Sequence, residues 1–227
     1  AIAATVDVIL SRSITGNSIG AKLTIPQGTL FTDSSGNSWL SARDVTWYSN
    51  VTTCKVPIIQ HEKYTASALN NMLIPTGDRV IVHLGTLPNG KYYEQGSMSL
   101  QIGGETWVLV DTFAKSKPTD KHFMVSVDEA LNPYIMFGDG TFGKKPAAGA
   151  KITNVVFYLT NGTQGNVKSN TITSVPSISS SSITDATVSN AYDAGGGSNY
   201  ENFTMLKEHI PLSVKTLGVA ITKEDFE

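Results

Sequence analysis

Cysteine is almost absent from this chain, with Cys54 the single example in 227 residues. That excludes an intrachain disulfide and a cysteine-rich zinc site, and it leaves Cys54 to be read as a small buried apolar residue. Charge is scarce too: Asp, Glu, Lys and Arg make up 16% of the chain, against a usual figure of about 25%. The 17 basic and 19 acidic residues give a net charge of −2, so no sequence-wide positive field draws the protein to nucleic acid or to anionic lipid. Apolar runs never approach the roughly 20 residues of a membrane-spanning helix, and Ala1–Ala4 follows no basic region, which predicts a soluble chain without a signal peptide.

Reactive constellations are missing as well. His61, His83, His122 and His209 are scattered among different predicted elements. His61-Glu62 opens like a zinc-protease helix but lacks the second His four positions after the first, so no metal ligand set is assigned. No Gly-x-Ser-x-Gly elbow and no Gly-Lys-Ser/Thr phosphate loop occurs, and Asp128-Glu129 points its two carboxylates to opposite faces of a strand. Sequons at Asn50, Asn161 and Asn202 are expected by chance at this Asn and Thr content. These absences predict no catalytic residues, no cofactor, no metal and no small-molecule substrate.

What the chain has in quantity is small polar residues: 23 Ser, 25 Thr, 14 Asn and 20 Gly, a mixture that favours turns and strands. Period-two alternation predicts strands at 5–10, 21–25, 45–48 and 52–58, with turns at Ile25-Pro26-Gln27-Gly28-Thr29 and at Asp33–Asn37 that send Leu30–Thr32 back through Ser38–Leu40. We expect residues 1–79 to form a β-meander followed by a connection that includes a helical turn at 64–69. A second β-rich block is expected over 80–175, with strands at 80–84, 98–102, 106–110, 123–127, 134–137 and 151–160, and a two-residue Gly103-Gly104 hairpin. Residues 176–227 read as a Ser/Gly-rich linker leading into a helix whose face carries Phe203, Leu206 and Ile210. Thr222–Asp225 has the spacing of a further helix start, which predicts that the sequence belongs to a longer chain. The expected fold class is therefore mainly β, two blocks of antiparallel hairpins with a short C-terminal helical segment.

The most distinctive stretch runs from Tyr134 to Asn166. Gly138-Asp139-Gly140, between Ile135-Met136-Phe137 and Thr141-Phe142, reads as a hairpin turn, with Asp139 as a turn residue. Gly143, Pro146 and Gly149 mark a second reversal, and Gly165-Asn166-Val167 begins the exit from the long strand. Phe137-Gly138-Asp139-Gly140-x-x-Gly143-x-x-Pro146-x-x-Gly149-x-x-Ile152, then Tyr158 and Gly165-Asn166-Val167, resembles the hallmark of the baseplate J-like family. These are baseplate wedge proteins of contractile-tailed phages and related injection machines. Ile25-Pro26-Gln27-Gly28-Thr29-Leu30-Phe31 is similar to an early turn of that family. The stretch from Gly196-Gly197 through Leu206, Pro211 and Lys215-Thr216 to Ile221–Glu227 is similar to the segment leading into its next domain. The chain departs from the family at Ser198–Asn202, where a more acidic Asp-x-Glu-Ser pattern is usual.

The resemblance implies a structural subunit, not an enzyme, located in the tail baseplate of a virion assembled in the host cytoplasm. Its implied partners are other baseplate wedge and hub proteins and further copies of itself, with no nucleic acid and no membrane. A second expectation comes from the aromatics: exposed Trp39, Trp47, Trp107 and Tyr92-Tyr93 would provide stacking platforms for a carbohydrate-binding β-sandwich adhesin of a virion or cell surface. Alternation places Trp107 and Leu109 on an apolar face, which favours core packing for that residue.

Overall fold

The structure is a computed structural model and describes residues 1–12, 22–48, 50–66, 69, 71–77, 80–174 and 186–200. It is mainly β, as the composition predicts. Residues 175–185, most of them in the expected Ser/Gly-rich linker, and the helical positions after Tyr200 lie outside the described residues.

The first sheet runs, in spatial order, through β15 (Thr187–Ser189), β1 (Thr5–Ser11), β6 (Thr53–Ile59), β4 (Ser38–Ser41) and β3 (Leu30–Thr32). Its spine is β1 against β6, antiparallel over seven residue pairs. Alternation explains the match: Val8 and Leu10 face inward opposite Val56 and Cys54, all buried. On the outer face Lys55 Nζ lies 2.8 Å from Asp7 Oδ2. β3 and β4 form the expected hairpin through Asp33–Asn37. The meander expectation is otherwise overturned, because β2 (Lys22–Ile25) pairs with β5 (Val45–Tyr48) in a separate ribbon and β1 takes β6. Alternation identifies a strand but not its partner, and the longest matched apolar face decides the pairing.

The second sheet runs through β7 (Glu62–Thr65), β14 (Ile152–Thr160), β10 (Ser99–Ile102), β11 (Glu105–Leu109), β12 (His122–Val127), β13 (Pro133–Phe137) and β8 (Ile81–His83), with β9 (Tyr92–Tyr93) also on β14. Nine-residue β14 buries Ile152, Val155, Phe157 and Leu159. A register shift at Gln101/Ile102 of β10 explains the three-residue step between the first two of these. Gly103 and Gly104 take φ +59° and +79° between β10 and β11, the turn the two glycines predict. β12, β13 and β8 complete the antiparallel end. The β11–β12 contact is parallel, a departure from uniformly antiparallel hairpins.

Two segments sit elsewhere than the sequence predicts. Glu62–Thr65, assigned to the connection and its helical turn, is strand β7 on the edge of the second sheet, with Tyr64 opposite Phe157. One apolar residue among Glu62, Lys63 and Thr65 gives too little period to identify a strand, yet suits a charged edge. Thr187–Ser189, assigned to the linker, is β15 and pairs with β1. The chain thus leaves the first sheet after β6, builds the second, and returns. Each sheet covers its own core, one centred on Trp39, Trp47 and Phe31, the other on Trp107, Phe123 and Phe157.

Candidate functional site

Around Phe137 the motif residues form a compact loop instead of the expected hairpin. β13 ends at Phe137 and pairs on its two sides with β12 and β8, so Thr141-Phe142 has no open edge beside it. The glycines are instead fixed by close approach. A Cβ on Gly138 would lie 2.4 Å from the Gly143 carbonyl carbon and oxygen, a distance no side chain tolerates. Gly140 and Gly143 take φ +94° and +82°, and the Gly140 amide donates to the Gly143 carbonyl at 3.0 Å. Asp139 is a turn residue, as its chemistry predicts: Oδ1 accepts the Thr141 and Phe142 amides at 2.7 and 2.8 Å.

The loop is tied to its surroundings by backbone bonds. Phe137 stands edge-on to Trp107, with ring centroids 5.3 Å apart. The Lys144 amide donates to the Asp120 carbonyl at 2.7 Å, and the Gly149 amide to the Ile74 carbonyl at 3.0 Å. Pro146 is buried between these ties.

Gly165 and Asn166 lie elsewhere, at the seam where the chain passes between the two sheets. A 3₁₀ turn, Gly162–Gly165, comes after β14. A Cβ on Gly165 would meet Gln60 Oε1 at 3.2 Å and Ala4 Cβ at 3.3 Å. The Asn166 carboxamide donates to the Gly197 carbonyl at 2.9 Å and accepts the Gly197 amide at 2.8 Å, copying a strand pair with a side chain. Gly197 is forced by the same crowding, since its Cβ would fall 2.3 Å from the Gly162 carbonyl oxygen.

Gln60 holds the centre of this seam. It is fully buried; its amide donates to Ala4, and its Oε1 accepts Thr160 Oγ1 at 3.0 Å and the Asn161 amide at 2.6 Å. Asn161 Nδ2 then reaches Asn37 Oδ1 at 2.6 Å, joining the end of β14 to the β3–β4 turn. Burial of Asn161 also removes it as a glycosylation acceptor. In the same turn Asp33 accepts from Trp39 Nε1 at 3.2 Å, Asn37 Nδ2 at 3.0 Å and two amides. Burial pushes the Asp33 carboxyl up, but the bonds from Asn37, Trp39 and Ser35 outweigh it and hold the group below its ordinary range.

Sequence reasoning missed Gln60, Asn190 and Asp33 as structural centres. Asn190 is fully buried and uses every polar position: Oδ1 accepts the Thr171 and Ile172 amides, and Nδ2 donates to the Lys168 and Tyr192 carbonyls. No local pattern marks Gln60 or Asn190, whose bonds to Asn161 and Ile172 cross 101 and 18 residues, whereas Asp33 gathers its bonds within the Asp33–Asn37 turn and Trp39.

Among the described residues the remaining polar groups do not assemble a reactive centre. Ser116 Oγ and His122 Nδ1 are 2.8 Å apart, but the neighbouring acid, Asp120, holds the Lys117 amide with its carboxylate. His61 pairs with Glu94 and stacks on Tyr158 at 4.7 Å. Among the described residues no group of three His, Cys, Asp or Glu side chains could hold a metal ion. Trp39, Trp47, Trp107 and Tyr93 are all buried in the cores, not presented as stacking platforms. Cys54 is buried, and burial pushes its thiol up. No protein-family model and no curated protein sequence matches the chain.

Proposed function

We propose that this chain is a structural part of a contractile-tail baseplate wedge, a scaffold that holds neighbouring wedge proteins around the hub. The observation that carries the reading is the use made of the motif residues. Gly138, Gly143 and Gly197 occupy positions where a side chain would clash or be strained, Gly165 is closely packed against Gln60 and Ala4, and Asn166 fits Gly197 as a reciprocal carboxamide. Such residues serve the fold, which is what a shared motif does in a scaffold. The carbohydrate-binding alternative loses its footing, since three tryptophans and Tyr93 that would have stacked on sugars pack inside the protein.

Negative-stain microscopy of purified tailed particles, labelled with an antibody raised against this chain, tests the proposal. Label at the baseplate end of the tail is the expected result. Label on fibre tips, or on no particle at all, would reject the scaffold reading.

A further inference from the structure

The β11–β12 contact is brief, and beyond it, among the described residues, β12 presents an open strand edge. Only Val108↔His122 and Leu109↔Phe123 are in register, and the last bond runs from the Val110 amide to the Phe123 carbonyl at 2.9 Å. Phe123 therefore turns its peptide groups toward β11, away from β13. Strand geometry turns Val125 and Val127 the same way, while Met124 and Ser126 bond to β13. Pro133 agrees with this parity: it stands opposite Val127, where no amide is needed. Among the described residues no backbone hydrogen bond reaches the outward groups of Val125 and Val127.

Beside this edge lies a cleft of about 300 Å³, whose walls include Leu109, Asp111, Val125, Val127, Tyr93 and Tyr200. Tyr93 is 2% exposed, and among the described residues its hydroxyl lacks a hydrogen-bond partner. Buried polar groups are rarely left so, and an unpaired edge in a depression is a template for another strand. Charge selects the occupant: exposed Asp111 lies in the wall, exposed Glu129 comes just after the end of β12, and no Lys or Arg lines the cleft. We propose that this edge docks an extended, basic segment of a partner polypeptide by strand addition. Its backbone would bond Val125 and Val127, an apolar side chain would rest on Leu109, and a Lys or Arg would meet Asp111. Strand addition at this edge is independent of the baseplate reading and rests on the geometry of the edge and the charge of its cleft.

Amide hydrogen exchange by NMR on the full chain, with and without a short blocked peptide of alternating valine and lysine, tests it. In the free protein the Val125 and Val127 amides should exchange much faster than those of Met124 and Ser126. The peptide should protect the first pair, and N-methylation of its edge-facing amides should weaken binding at least about tenfold. Asp111→Lys should weaken it comparably, and Val125→Pro should abolish protection of Val127 while Met124 and Ser126 stay protected. Equal protection of all four amides in the free protein would overturn the proposal. So would no binding at millimolar peptide, equal binding of the N-methylated peptide, or concentration-dependent protection without peptide, which would make the occupant a second copy.

Discussion

Asn166 and Gly197 exchange two hydrogen bonds, 2.9 and 2.8 Å long, across 31 residues of sequence. A carboxamide at this place acts as a one-residue strand, and it locks the returning chain onto the turn that leaves β14. Asn166→Ala removes both bonds and strands the Gly197 amide, a loss of about 2 kcal/mol. Asn166→Asp keeps the acceptor but sets a carboxylate oxygen against the Gly197 carbonyl, and should cost at least as much. Urea unfolding with an unchanged slope checks both; a variant as stable as the parent would show that the clasp is dispensable.

The motif loop separates steric need from chemical need. Gly138→Ala places a methyl 2.4 Å from the Gly143 backbone, so it should destabilise by several kcal/mol or prevent folding. Gly140→Val should cost about 1 to 3 kcal/mol, because a β-branched residue is forced to φ +94°. Asp139→Asn retains an Oδ1 acceptor for the Thr141 and Phe142 amides and should cost far less than either. Thermal midpoints of the three variants order them. If Asp139→Asn were the most damaging, its carboxylate would have a role beyond the turn.

Most strand positions and turns were legible because alternation and glycine chemistry are local, whereas the charged edge strand Glu62–Thr65 and the short Thr187–Ser189 lack that signal. Leu10, Val56 and Phe157 announce a buried face within five residues of themselves, and Gly103-Gly104 announces a turn within two. Partnership was not legible. β1 chooses β6 over the nearer β2, β7 joins the sheet built after it, and β15 crosses back to the first sheet. The motif residues could be singled out, but the reason for Gly138 is a neighbour five positions away and for Gly165 it is Gln60 and Ala4. Gln60 and Asn190 carry no local signal at all, since a buried amide looks like any surface amide until its distant partners are known.

Acid should loosen the β3–β4 turn. The Asp33 carboxyl is held below its ordinary range in the folded state, so its contribution is present above the unfolded pKa and is lost as pH falls through the folded one. Stability should therefore decline below about pH 4, near the ordinary Asp value. Asp33→Asn should be less stable at pH 7 and show a shallower decline between pH 4 and 2. Urea midpoints of the two proteins across that range check the difference; parallel curves would remove Asp33 from the acid response.

Alkali should act through Tyr93. Burial pushes its hydroxyl up to about 12, with the Gly96, Ser97 and Met98 amides close by but none making a well-formed bond. The unfolded chain ionises this phenol near pH 10, so the folded state resists a charge that the unfolded state accepts. Its stabilising effect is complete below pH 10 and is lost as pH rises toward 12. Tyr93→Phe removes both the titration and the unpartnered hydroxyl. At pH 7 it should be neutral or more stable by up to about 1 kcal/mol, and its midpoint should fall less steeply between pH 10 and 11.5. Absorbance at the phenolate band, tracked with the unfolding signal, separates ionisation from unfolding. A Tyr93→Phe protein markedly less stable at pH 7 would mean that the hydroxyl is bonded in solution.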